Sequence, residues 1–191
     1  MNRSSVLITM VLVMTALAGC ASSVQRPSPA ASAVNSTAVP KRIVLSPASQ
    51  AGQVSMSLTD EAKKKISDNL KFDQDELLDH VKRAMTAKEL LAPAPANGLP
   101  TIEIRITSVR VRTNFSAVMW GFMAGADSIG GDVIVKGTDG QPTDSFHVSV
   151  SYALGGLAGG QDSARMDWMY EKFAEETLKG LTTEQPPNKK N

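Results

Sequence analysis

A chain with one cysteine in 191 residues cannot close a disulfide on itself, so its stability has to come from an ordinary apolar core. Histidine is almost as scarce. His80 and His147 are the only two, nothing in the sequence brings them together, and without a second thiol no metal site of the usual zinc-ligand types is expected. An excess of one charge sign is missing as well. Twenty Lys and Arg stand against 19 Asp and Glu, and no basic stripe forms, so nucleic acid is not an expected partner. The densest basic run, Lys63–Lys65, is flanked by Asp60, Glu61 and Asp68 and reads as a solvated helix face. There is no Gly-x-Ser-x-Gly elbow, and no Gly-x-x-x-x-Gly-Lys-Ser/Thr loop. The carboxylates Asp73, Asp75, Glu76 and Asp79 lack the glycine turn of a calcium loop; they suit a helix N-terminus, where negative charge is favoured. On this inventory the chain is not expected to be an enzyme, and no cofactor or metal is called for.

The longest apolar run is short. Val6–Ala18, thirteen residues behind Arg3, falls below the roughly 20 needed to span a bilayer and passes into the polar, proline-broken "SSVQRPSPAAS". That layout is a secretory signal peptide. It ends in "LAGC", and Leu-Ala-Gly-Cys resembles the lipobox of bacterial lipoproteins. The resemblance implies that Cys20 is alkylated by diacylglycerol through its thiolate, that residues 1–19 are removed, and that Cys20 becomes the acylated first residue of the mature chain. Removing Arg3 leaves equal numbers of acidic and basic side chains. Ala21 stands where an aspartate retains lipoproteins at the inner membrane, so the resemblance favours the outer membrane, facing the periplasm. Residues 20–40 are mostly Ala, Ser, Pro, Thr and Val, a composition that predicts a flexible tether; 183–191 reads as a disordered tail.

The remaining 41–182 predicts one α+β domain, a small mixed, mostly antiparallel sheet with amphipathic helices on one face. "KRIVLSP" reads as a first strand and "VSMSL" as a second strand or irregular edge. "TDEAKKKISDNL" predicts a short helix. Asp73 with Glu76 resembles a capping box, opening a stronger helix with Leu77, Leu78, Val81, Ala84, Met85 and Leu91 at helical spacing. In "TIEIRITSVRVRT" the apolar phase switches between Ile106 and Val109, which predicts a bulge or a bend near Ser108. "GDVIVKG" and "DSFHVSVSYAL" form a hairpin across "TDGQ". The last helix carries Met166, Tyr170, Phe173, Thr177, Leu178 and Leu181, with Asp162 at its start.

Two glycine-rich connectors stand out, "MWGFMAGADSIGG" and "LGGLAGG". The first also carries Trp120, Phe122 and Met123. Large apolar side chains on such a connector either fold back over the core or form a contact surface for a partner or the lipid surface. Residues from about 100 to 180 resemble the domain-of-unknown-function family 4410, a group of bacterial lipoproteins. The resemblance lies in the order "IEIRITSVRV", "WGFMAGADSIGGDVIVKGTDGQPTDSFHVSVSYALGG" and a closing amphipathic helix, with "GFMAG" and "GTDGQ" as its local motifs. It implies location and fold rather than an activity.

The expected function is therefore that of a lipid-anchored cell-envelope protein, a non-enzymatic accessory or interaction module in envelope assembly or transport. Its contacts would be the membrane through Cys20, and an envelope protein through the wet hairpin face and Trp120, Phe122 and Met123. One alternative is a lipid- or small-apolar-ligand-binding module with its mouth under Trp120 and Phe122. The other is a hydrolase, which requires His147 hydrogen-bonded to a serine and oriented by a carboxylate.

Overall fold

The computed structural model describes residues 21–26, 42–67, 71–112, 126–153 and 162–183. Eight elements follow in chain order: β1 (Ala21–Gln25), β2 (Gln53–Leu58), α1 (Asp60–Ser67), α2 (Gln74–Ala87), β3 (Thr101–Arg110), β4 (Asp127–Lys136), β5 (Pro142–Tyr152) and α3 (Asp162–Thr182). The strands form one sheet in the order β1-β5-β4-β3-β2. Every pair is antiparallel except β2 and β3, which run parallel because α1 and α2 form the crossover between them. The fold is the expected α+β class.

One face of the sheet is apolar and covered. Ile102, Ile104 and Ile106 of β3, Ile129, Val133 and Val135 of β4, and Phe146, Val148 and Val150 of β5 are buried against the helices. Leu77, Val81 and Met85 of α2 and Met169, Tyr170 and Phe173 of α3 close the core from the other side. These are the 3.6- and 2-residue periodicities read in the sequence, now meeting at one interface. The expected bulge is present: the β3–β4 register shifts between Ile106 and Ser108, which returns Val109 to the buried face. The β4–β5 turn has Gly140 at φ +75°, a left-handed conformation that an L side chain rarely adopts.

Asp73 caps α2. Its Oδ1 accepts from the N–H groups of Asp75 (2.9 Å) and Glu76 (3.1 Å). The reciprocal half of a capping box is replaced by a tertiary contact, because the Asp73 N–H donates to the Tyr170 hydroxyl at 2.7 Å. α2 also ends at Ala87, so Leu91 lies beyond it, where it bridges to Ala51.

Three expectations are corrected. Residues 42–45 of "KRIVLSP" are not a strand; Leu45 is buried and its N–H donates to the Leu181 carbonyl, so this stretch packs on the end of α3. "DSIGG" is not a connector but the first half of β4. Gly131 is closely packed there, since a Cβ would meet Ile106 Cδ1 at 3.1 Å and Phe173 Cζ at 3.2 Å. The third correction concerns only the start of the expected tether, since residues 27–40 lie outside the described residues. Ala21–Gln25 is an edge strand, paired with β5 from Ala21↔Ser151 to Gln25↔His147. A stretch with one valine buries little, so the backbone ladder and polar contacts hold it. Ser22 Oγ donates to Glu176 Oε1 (2.8 Å), and Arg26 Nη1 pairs with Asp144 Oδ2 (3.0 Å).

The Ser22 contact makes the strand acid-sensitive. Burial pushes the Glu176 carboxyl up, but hydrogen bonds from Lys179 and Ser22 outweigh it and hold the group below the usual carboxylate range. A depressed carboxyl stabilises the folded state above its ordinary pKa, and that contribution is lost as pH falls through the folded-state value. Amide protection of residues 22–25 is therefore expected to drop below about pH 4 before that of β3 and β4. Glu176→Gln should flatten this pH dependence; an unchanged profile in the variant would assign the acid sensitivity to another group.

Candidate functional site

Cys20, Trp120, Phe122 and Met123 lie outside the described residues. The two histidines are described and sit on opposite sides of the sheet. His80 is on α2 in the helical layer. It is half-buried rather than fully solvent-facing, with its ring tilted against Tyr170 at 5.8 Å. His147 is on the uncovered face of β5, as its polar parity predicted.

The uncovered face is a grid set by strand register. One row crosses all five strands as Gln25, His147, Asp132, Arg105 and Ser57. Its neighbour on one side is Ser23, Ser149, Gly130 and Ser108, and on the other Ser145, Ile134, Glu103 and Ser55. The small hydroxyl side chains leave the face flat, and the charges pair locally. Glu103 takes Lys136 at 2.7 Å and Arg105 at 3.1 Å, and these two hydrogen bonds hold its carboxyl below the usual range.

At the centre of the grid His147 Nδ1 lies 2.7 Å from Asp132 Oδ1, both groups partly exposed. Gly130 makes room beside them: a Cβ there would meet Ser108 Oγ at 2.6 Å and His147 Nε2 at 3.3 Å. An open cleft of about 420 Å3 adjoins the pair, lined by Gln25, Arg26, Ile134, Ser145 and Phe146. Arg26 lies over the Phe146 ring at 4.7 Å. The orienting carboxylate of a hydrolytic triad is thus present, whereas no hydroxyl hydrogen-bonds to His147 among the described residues. What the arrangement offers is a fixed set of donors and acceptors on a flat, wet surface.

A second cluster was not anticipated. At the end of the sheet where β1 begins, Asp127 is fully buried and joins two buried arginines. Its Oδ1 accepts from the Arg112 N–H (2.6 Å), its Oδ2 from Arg112 Nη2 (3.1 Å), and Arg165 Nη1 stands 3.5 Å away. Arg112 Nη2 also donates to the Tyr152 carbonyl, and Tyr152 packs edge-on to Trp168 at 5.3 Å. The sequence did hold one signal: Asp127 shares the buried parity of Ile129, Val133 and Val135, where a carboxylate requires a partner.

The helical layer carries an apolar groove of about 520 Å3, lined by Leu45, Pro47, Leu90 and Leu178 with Lys88 and Lys179 among its polar members. It lies by the C-terminal end of α3, away from Tyr152 and Trp168. None of the helices described is long and apolar enough to cross a membrane.

The model of the family described as "Domain of unknown function (DUF4410)" matches residues 31–156. The match starts well before the segment from residue 100 on which the resemblance rested, and it stops before α3. No curated protein matches the chain in sequence. Among solved structures the chain is similar to the PelC dodecamer from Paraburkholderia phytofirmans, at 11% identity and a TM-score of 0.46, over 85% of this chain and 100% of that one. It is also similar to a minor lipoprotein from Acinetobacter baumannii, at 13% identity and a TM-score of 0.40, over 72% of this chain and 99% of that one.

Proposed function

The chain belongs to the DUF4410 family, and from that premise we propose that it is a non-enzymatic, lipid-anchored envelope protein. In this reading it is held at the periplasmic face of the outer membrane by acyl chains on Cys20 and presents the flat face of its sheet to an envelope partner. The observation that carries the reading is the β1 register. Ala21, the residue after Cys20, is already paired with Ser151. An anchor on Cys20 then has no spacer, and the sheet end at Ala21 sits against the bilayer.

That end has the right chemistry. Tyr152 and Trp168 form a partly exposed aromatic pair there, a residue combination suited to a membrane–water interface. Arg112 and Asp127 stand at the same end, and residues 113–125 between them, with Trp120, Phe122 and Met123, contain no charged side chain. Arg110 is an exposed cation at this end, and Lys136, Asp139 and Asp144 stand at the other. In this reading Trp120, Phe122 and Met123 contact the lipid surface or the envelope partner.

The test is fractionation of cells expressing wild type and Cys20→Ala. The wild type should partition with outer-membrane fractions and carry labelled acyl chains; the variant should be released unlabelled. A labelled, membrane-bound variant would sink the anchor assignment. In-cell crosslinking from a photoreactive residue at Ser149, against one at Ser57, then identifies the partner of the flat face.

A second reading, a module for a lipid or small apolar ligand, has one observation in its favour, the groove of about 520 Å3 beside Leu45 and Leu90. Its rim carries Lys88 and Lys179 together with Glu175, and Lys179 is paired with Glu176 at 2.7 Å, so apolar burial rather than charge would hold the ligand. Saturable displacement of a fluorescent fatty acid that Leu90→Lys abolishes would support it, and failure to bind any would remove it.

A further inference from the structure

On the outer side of the helical layer, far from the flat face, α2 and α3 bring three metal-ligand types together. Glu76 and His80 are four residues apart on α2, so they share one side of that helix. Asp167 projects from α3 across the contact. One ligand atom of each, a carboxylate oxygen, an imidazole nitrogen and a second carboxylate oxygen, lies within 4.8 Å of the other two. We infer that Glu76, His80 and Asp167 form a binding site for a divalent first-row transition metal ion, with zinc as the natural probe.

Two independent features support a ligand at this point. The first is charge. Two carboxylates converge on one imidazole, and among the described residues none of the three side chains has a hydrogen bond or ion pair to a cation. A bound dication relieves that repulsion. The second is Tyr170. The residue is fully buried and its ring contacts His80 at 5.8 Å. Its hydroxyl accepts from the Asp73 N–H at 2.7 Å. The buried ring, held by this bond, fixes the His80 imidazole beside the two carboxylates.

The site is also pre-organised. Phe72 packs edge-on to Tyr170 at 5.9 Å, and the Asp73–Tyr170 hydrogen bond ties the start of α2 to α3, so the ligand-bearing turns are fixed without metal. A mixed imidazole and carboxylate set suits zinc and its neighbours, and three protein ligands leave a coordination position for water.

The experiment uses the full-length, untagged protein and zinc alone. The chain has only two histidines, so each imidazole is separately visible by NMR. Zinc titration should shift the His80 ring signals at one equivalent and leave those of His147 in place. His80→Gln should abolish the shift in thermal unfolding temperature that zinc produces. Glu76→Gln and Asp167→Asn should each weaken binding by roughly tenfold or more, with helical circular dichroism unchanged. The proposal is overturned if neither ring responds, if His147 responds instead, or if the Glu76→Gln and Asp167→Asn variants bind zinc as tightly as wild type.

Discussion

Asp127→Asn should unfold this protein roughly 10 °C below wild type. The carboxylate is fully buried and is the shared counter-ion of Arg112 and Arg165, themselves only 5% and 3% exposed. Removing one partner of a buried ion pair takes a counter-charge from groups held in a low-dielectric site, at a cost of about 3–5 kcal/mol. In a domain of this size each kcal/mol corresponds to about 2–4 °C. The amide keeps the shape of the side chain and part of its hydrogen bonding, so the loss reports the charge. Deleting all three charges in Asp127→Leu with Arg112→Met and Arg165→Met should recover most of the stability, because the desolvation penalty of the cluster goes with its charges. Thermal unfolding followed by circular dichroism measures both. A single variant within about 2 °C of wild type would mean that water reaches the cluster. The same substitution bears on the proposed membrane contact, since Arg112 and Asp127 are the two stems from which residues 113–125 depart.

Gly180→Ala is the second large effect, and its sign is opposite to what helix propensity alone predicts. In an exposed helix the change contributes about 1 kcal/mol of stability. Here a Cβ on Gly180 would overlap the ring of Phe146, which is buried beneath the Arg26 guanidinium. The Gly180 carbonyl also accepts from Arg26 and Arg42, so α3 cannot slide outward without losing both bonds. Overpacking of this kind costs about 1–3 kcal/mol. In a Phe146→Leu background the smaller side chain vacates the overlap, and the alanine should become neutral or stabilising. A double-mutant cycle in urea reads this coupling. Additive effects of the two substitutions would show that the helix and β5 do not meet at Gly180.

How much of this was legible in the sequence depends on the range of the interaction. The Asp73 cap, the amphipathic faces of α2 and α3, the bulge near Ser108 and the turn at Gly140 are local, each set by residues within about one turn or one hairpin of each other. Their patterns survive in one dimension. β1 does not, because "ASSVQ" has the composition of a linker; it becomes a strand only because β5 offers an unpaired edge and Glu176 and Asp144 offer partners more than a hundred residues away. "DSIGG" reads as a connector for the same reason. Its glycines signal freedom in isolation and close packing against Phe173 and Ser108 in the fold.

The candidate sites divide in the same way. The polar parity of His147 is legible because strand alternation has a period of two. The Asp132 partner of His147, the Arg112–Asp127–Arg165 cluster and the meeting of His80 with Asp167 are not, since each joins residues on different elements. The sequence by itself determined the periodicities, the caps, the turns and the α+β class, all of which follow from steric and solvation preferences of neighbouring residues. Only the tertiary structure decided which edge each strand would occupy, which charges would be buried together, and that the chain enters its sheet one residue after its only cysteine, because those outcomes depend on long-range pairing whose partners local sequence does not encode.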